Sequence, residues 1–247
     1  MSAERARETL HPAFVLHHRP YRDTSRILEV FTRDQGRLTL FARGVRGGKA
    51  PLASILLPFQ PLLVAWTGRG DAGQLTRAEA VAAPLLPPAA VMPAYYLNEL
   101  VLKLTTRHDP QPGLYDVYEQ AVATLRRGAP VPAALRLFEK RLLEALGYGV
   151  DLLRDARTGE PVDAAQRYHF SAAVGCYAVD APPQEESTLL GQSLLDLHGE
   201  VLDAPRSLDD ARKLLRAALV PLLEGRELLT RSVARSISGR RGRSREA

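Results

Sequence analysis

The run Arg43-Gly44-Val45-Arg46-Gly47-Gly48-Lys49 sets three cations among three glycines, a combination suited to phosphate. Glycine lets the backbone approach a ligand closely, and the neighbouring guanidinium and ammonium groups supply opposite charge. The run is not a nucleotide-binding P-loop. Ala50 stands where Ser or Thr must hold magnesium, and Arg43 stands where the first glycine is needed. Alone, such a run is equally a solvated loop. Here Arg19, Arg22, Arg26, Arg33, Arg37, Arg69 and Arg77 lie in the same stretch of chain, which favours a grip on a polyanion. Tyr21, beside Arg22, is placed to stack on an unpaired base, a contact worth about 1–3 kcal/mol. Phe14, Phe31, Phe41 and Trp66 alternate with polar neighbours and are assigned to the core.

Other chemistries find less support. His17 and His18 are adjacent on a predicted strand, point to opposite faces and cannot chelate one metal together. His108, His169 and His198 lack partners at metal-ligand spacing, and Cys176, the single cysteine, excludes both a disulfide within the chain and a multi-thiolate zinc site. No Gly-x-Ser-x-Gly elbow is present. The expectation is a binding protein, not an enzyme, with no cofactor and no metal. A second candidate site lies further along, where Arg136, Lys140 and Arg141 border the apolar stripe of Leu135, Phe138 and Leu142. An ordinary amphipathic helix has this pattern. So does a surface that receives a short acidic-hydrophobic peptide.

Charge is unevenly spread. The net +5 of the 247 residues arises from +5 over residues 1–80, −6 over 81–205 and +6 over 206–247. Basic ends flanking an acidic middle suit a polyanion bound on some surfaces only. The first residues carry Glu4, Arg5, Arg7 and Glu8 where a secretory signal needs apolar side chains, and no run approaches a membrane span, so a cytoplasmic location is expected.

The elements that must position these residues follow from periodicity. Ala13 to His18, Arg26 to Thr32, Arg37 to Arg43, Pro61 to Thr67 and Gln74 to Val81 read as five short strands, separated by turns such as Asp34-Gln35-Gly36. Five strands in so short a span predict a closed barrel. Pro84, Pro87, Pro88 and Pro93 are expected to break regular structure and mark a boundary. Three apolar stripes with helical period follow: Tyr96 to Leu104, Leu114 to Leu125, and Leu135 to Leu146 capped by Gly147. Residues 151–182 read as a small irregular hairpin. Ser207 and Asp210 resemble a capping box opening a last helix that Pro221 should kink, and the Arg-Ser-Gly-rich end is expected to be disordered. The fold class is α+β: an N-terminal barrel over 1–82, a mainly helical domain over 83–238 and a basic tail over 239–247.

In this order, the residues resemble the bacterial RecO family of recombination mediators over nearly the whole chain. The likeness runs through Ala13-Phe14-Val15-Leu16-His17, Tyr21-Arg22-Asp23-Thr24-Ser25, Val30-Phe31-Thr32, Gly36-Arg37 and Ala42-Arg43-Gly44-Val45-Arg46. It continues with Leu57-Pro58-Phe59-Gln60-Pro61, Glu79-Ala80, Tyr96-Leu97-Asn98-Glu99-Leu100, Leu146-Gly147-Tyr148-Gly149, Thr158-Gly159-Glu160-Pro161, Ser207-Leu208 and Gly225-Arg226-Glu227-Leu228-Leu229.

The resemblance implies an OB-fold barrel, a helical domain and a role in recombinational repair. It implies binding of single- and double-stranded DNA, annealing of complementary strands, and loading of RecA, with RecR, onto strands coated by single-stranded-DNA-binding protein (SSB). It also implies a nucleoid-associated location. The family's basic loop maps onto Arg43, Arg46 and Lys49, and Arg19, Arg22, Arg37 and Arg69 become further candidate DNA contacts. Its SSB-tail pocket lies in the helical domain, which points to Leu135, Arg136, Lys140 and Arg141. Many relatives carry a four-cysteine zinc module where this chain has Asp155, Thr158 and Cys176, so packing alone is expected to hold residues 151–182. The rival reading is an adaptor that docks an acidic partner without touching DNA directly. A hydrolase built from scattered residues has no motif behind it.

Overall fold

The structure is a computed structural model and describes residues 9–45, 51–68, 70, 72–179 and 188–233. Strands β1 (His11–Tyr21), β2 (Ser25–Thr32), β3 (Gly36–Ala42), β4 (Pro61–Thr67) and β5 (Ala72–Ala80) close into a barrel in the order β1-β2-β3-β5-β4. A short helix, α1 (Pro51–Ile55), precedes β4. Closure works because β1 is long: His11–Phe14 pairs with β4 while Ala13–Tyr21 pairs with β2, with a bulge between Val15 and His17. Every strand thereby gains two neighbours and no sheet edge is left open. This is the expected OB-fold barrel.

Alternation sets the core. Along β3 Leu38, Leu40 and Ala42 point inward to meet Val15, Leu28, Leu62 and Val64, each buried Leu or Val contributing about 1.5–3 kcal/mol, while Arg37, Thr39 and Phe41 lie on the outer face. The Asp34-Gln35-Gly36 turn is held by Thr32, whose hydroxyl donates to the Gly36 carbonyl at 2.9 Å and accepts from the Gln35 N–H at 3.2 Å. Gly36 has φ +67°, and a Cβ there would stand 2.1 Å from the Asp109 carbonyl oxygen, so only glycine fits.

The chain divides into two compact units, Met1–Pro88 with Asn98–Asp116, and Ala89–Leu97 with Val117–Ala247. The first unit takes in more than the stretch 1–82. Asn98 donates to the Leu16 carbonyl at 2.7 Å, and Phe14 and Phe31 pack on Tyr115. Helix α2 (Pro88–Leu104) starts on a proline, where a missing N–H costs nothing, and contains Pro93 as well, so the expected break does not extend that far. Helix α3 spans Pro112–Arg126.

The second unit contains helix α4 (Val131–Ala145), whose Phe138, Leu142 and Leu143 are buried. Gly147, at φ +81°, ends it as expected, with the Tyr148 N–H reaching back to the Leu143 carbonyl. Strands β6 (Arg167–Ser171), β7 (Gly175–Ala178) and β8 (Leu189–Leu190) form a small sheet in the order β7-β6-β8, followed by helices α5 (Gly191–His198) and α6 (Pro205–Leu223).

The capping box at Ser207 is not formed. Helix α6 starts two residues earlier, at Pro205, without a side-chain cap. Ser207 instead donates to Asp196, and the Asp210 carboxylate accepts from the Leu190 N–H and the Ser193 hydroxyl, so both residues tie α6 to α5 and β8. Pro221 lies inside α6, which runs on to Leu223.

Candidate nucleic-acid interface and partner pocket

Three basic residues open to solvent, Arg19, Arg22 and Arg43, gather at the β1–β2 end of the barrel. The last residues of β1 pair with the start of β2, Arg19 opposite Ile27 and Tyr21 opposite Ser25, and Arg22 opens the turn at φ +51°. Arg19 and Tyr21 are two apart on unbulged strand and so project from one face. Tyr21, Arg22, Asp23, Ser25, Phe41 and Arg43 line a recess of about 580 Å³. The Tyr21 and Phe41 rings meet at 5.3 Å and 52°, and the Arg22 guanidinium lies 5.3 Å from the Tyr21 centroid.

Cations outnumber anions here, with Arg19, Arg22 and Arg43 against Asp23. Arg19 and Arg43 are exposed and have no ion-pair partner among the described residues. The His18 imidazole is held below its usual range, first by burial and then by repulsion from Arg26 and His17. The arrangement sets exposed cations, which suit phosphate, beside an aromatic pair, which suits stacking.

Other predicted contacts fall elsewhere. Arg37 is corrected: its guanidinium donates to Glu29 at 3.2 Å and to the Thr105 carbonyl at 2.8 Å, only 12% of its side chain is exposed, and it belongs to the barrel's own framework. Of its neighbours in the sequence reading, Arg33 is paired with Asp116 at 2.9 Å and Arg77 with Glu79. Arg46, Lys49 and Arg69 lie outside the described residues.

A second concavity lies wholly within the second unit, a pocket of about 500 Å³. Its floor is apolar, from Met92, Pro93, Tyr96 and Leu135, and its rim is cationic, from Arg136, Arg212, Lys213, Arg216 and Arg231. Arg231 belongs to a helical turn at 229–233, and its guanidinium donates to the Tyr96 hydroxyl at 2.7 Å. Carboxylates offset part of this charge: Glu139 beside Arg136, and Asp209 and Asp210 beside Arg212 and Lys213. Arg216 is exposed with no ion-pair partner among the described residues.

Of the residues proposed from the sequence for a peptide site, Leu135 and Arg136 line this pocket. Lys140 and Arg141 do not. Lys140 binds Glu144 and Glu200 at 3.2 Å, and Arg141 binds Glu200 and Gln120, so both brace the helices. Sequence reasoning missed Arg212, Arg216, Arg231 and Tyr96. The surplus of arginine over residues 206–247 is the only signal for the three arginines, and Tyr96 reads in the sequence only as part of an apolar helical stripe.

The segment matching the zinc module does not suit a metal. The Asp155 carboxylate already accepts from the N–H groups of Arg157 at 2.7 Å, Thr158 at 3.0 Å and Ala178 at 2.6 Å. Burial raises its affinity for protons, but these three bonds outweigh burial and hold it below the usual carboxylate range. Cys176 is buried, which pushes its thiol up to about 12, and as the chain's single cysteine it has no second thiolate to join it on a metal. Among the described residues no group of three or more His, Cys, Asp and Glu could hold a metal ion. Packing alone does not hold this segment: an acidic hub replaces the ion, and the Arg157 guanidinium, 3.5 Å from the Tyr177 centroid, covers the hairpin.

Comparison with known proteins agrees with this layout. Residues 7–84 match the family described as Recombination protein O N terminal, and residues 88–230 match Recombination protein O C terminal. The chain is similar to the DNA repair protein RecO of Azoarcus sp. (strain BH72), 42% identical over 91% of this chain and 94% of the relative. It is likewise similar to that of Alkalilimnicola ehrlichii, 42% identical over 96% and 94%, and of Methylococcus capsulatus, 38% identical over 94% and 96%. No described helix is long and apolar enough to cross a membrane. With both halves matched in order and the barrel preceding the helices, the chain belongs to the RecO family of DNA repair proteins.

Proposed function

We propose that this protein binds single- and double-stranded DNA at the β1–β2 end of its barrel and anneals complementary strands. It then helps load RecA, with RecR, onto SSB-coated DNA at the nucleoid. The observation that supports this reading is the gathering of Tyr21, Arg22 and Arg43 around one recess, with Arg19 on the same strand face as Tyr21. Cations that neutralise phosphates on two strands lower their mutual repulsion, and an aromatic face holds a base unpaired until its complement arrives. The work is done by binding, with no covalent step.

The pocket under Arg136 and Arg231 is the docking site for an acidic partner tail, for which the SSB C-terminus is the candidate. Its apolar floor takes an apolar side chain, and its cationic rim takes carboxylates, complementarity that a neutral or basic peptide lacks. The pocket also favours the adaptor reading in part, since partner docking needs no DNA contact. A fluorescence annealing assay with SSB-coated complementary strands separates the two. The proposed function requires annealing that slows steeply as salt rises. Annealing absent, or insensitive to ionic strength, would leave only the adaptor.

A further inference from the structure

Glu139 lies behind the wall of this pocket, not on its surface, with 1% of its side chain exposed. Three groups converge on a single oxygen. The Tyr96 hydroxyl donates to Glu139 Oε1 at 2.5 Å, Arg136 Nη2 donates to it at 2.7 Å, and Arg231 Nη2 stands 4.0 Å away. The other oxygen, Oε2, is buried with no hydrogen-bond partner, and so is Arg136 Nε. A buried carboxylate normally has both oxygens satisfied. Here a proton can be added at Oε2 without breaking any bond to Oε1.

The charged and titratable groups around Glu139 come from each packed element: Tyr96 from α2, Arg136 from α4 and Arg231 from the turn at 229–233. Across the pocket α6 adds Arg212, Lys213 and Arg216, with Asp209 and Asp210 paired to the first two. Among the described residues no histidine lines the pocket. Burial pushes the Glu139 carboxyl above its usual range, and Arg136, Tyr96 and Arg231 pull it back only in part. While the pocket is empty, Glu139 holds Arg136 and, through the Tyr96 hydroxyl, Arg231. A carboxylate arriving on those two guanidiniums takes over their charge and leaves Glu139 beside a second anion.

We propose that Glu139 is the positioning residue of this pocket, and that binding of a carboxylate ligand there is coupled to uptake of a proton by Glu139. The inference rests on the reading of the pocket as a receptor for an acidic peptide, and it adds that recognition tightens as pH falls. The sign follows from linkage. A carboxyl whose proton affinity rises on binding favours the complex in acid, and that advantage is lost as pH rises through the carboxyl's range in the complex.

The test uses the full chain and a synthetic peptide of four aspartates followed by Leu-Phe with a free C-terminus. Titration calorimetry in two buffers of different ionisation enthalpy counts protons, and the expected result is net uptake of up to about one proton per peptide between pH 6 and pH 8. The peptide is N-acetylated, so its carboxylates are its only titratable groups; they are fully ionised there and contribute nothing. Glu139→Gln keeps an oxygen to accept from Tyr96 and Arg136 but removes the charge. It is expected to bind more tightly than the natural protein at pH 8, with no proton uptake and a flat pH profile. Weaker binding by a folded Glu139→Gln variant, or peptide binding by the natural protein without proton uptake, overturns the inference and leaves the pocket reading intact. No peptide binding at any pH overturns both.

Discussion

Arg37 on β3 reaches diagonally to Glu29 on β2, Nη1 donating to Oε2 at 3.2 Å, with 12% and 16% of the two side chains exposed. Arg107 approaches the same carboxylate at 2.6 Å, and Thr39 donates to it at 2.9 Å. The pair therefore fastens residues 105–107 to the barrel wall and is not offered to a ligand. Truncating Arg37 leaves Glu29 short of a partner in a poorly solvated place. Arg37→Ala is expected to cost about 2–3 kcal/mol, read from the urea midpoint, while the salt dependence of DNA binding stays as in the natural protein. A flattened salt slope in the folded variant would return Arg37 to the interface.

Arg19, Arg22 and Arg43 should behave in the opposite way. All three are exposed, so replacing them together by alanine is expected to change stability by no more than about 0.5 kcal/mol per residue. Each lost phosphate contact removes about 0.7–0.9 from the slope of log affinity against log salt, so the triple variant should lose roughly 2–3. Tyr21→Ala is expected to cost about 1–3 kcal/mol on single strands and little on duplex, because only an unpaired base offers its face. Filter binding across a salt series reads both effects. An unchanged slope would mean that the strand passes elsewhere.

Local chemistry was legible in the sequence, and long-range pairing was not. The Asp34-Gln35-Gly36 turn and the alternating runs around it carry the barrel, because period and turn type are local properties. Arg37 looked like Arg19 because its fate depends on Glu29 in the next strand and on Thr105, 68 residues away. On α4, Arg136 and Lys140 lie one turn apart, yet Glu200, 60 residues on from Lys140, claims that lysine for the framework. Tyr96 and Arg231, which complete the pocket, are 135 residues apart. The short helix α5 carried no usable period and drew no expectation.

Asp155 is expected to act as an acid-sensitive fastener. Its three N–H bonds depress its proton affinity in the fold, so they contribute stability above the unfolded carboxyl range and are lost as pH falls through the folded one. Asp155→Ala should cost roughly 1.5–3 kcal/mol, the range for hydrogen bonds to a charged acceptor, and open residues 151–179. Cys176, buried beneath them, then becomes accessible, and its labelling by a thiol reagent at pH 8 should accelerate markedly. Unchanged labelling would mean that β6 and β7 hold the segment without the hub. Asp155→Asn should show a smaller loss of melting temperature between pH 6 and pH 3 than the natural protein.

Arg212→Glu with Arg216→Glu is expected to separate the two binding activities. Both side chains are exposed on α6 and Arg216 has no ion-pair partner among the described residues, so reversing their charge leaves the helix's buried face, with Leu214, Leu215 and Leu219, in place. Two positive charges become negative at the rim of the pocket proposed to receive carboxylates, and an acidic peptide should bind at least about tenfold more weakly, a loss of about 1.4 kcal/mol. Leu135→Asp should do the same from the floor, by placing a carboxylate where an apolar side chain must sit. Both are measured by anisotropy with labelled peptide and, separately, labelled oligonucleotide at one fixed salt concentration, since screening weakens each contact. Retained oligonucleotide binding with lost peptide binding assigns the pocket to the partner and the barrel to DNA. Equal loss of both would mean that α6 touches the phosphates too, because a reversed charge repels every anion within about a Debye length and spares only a strand held further away.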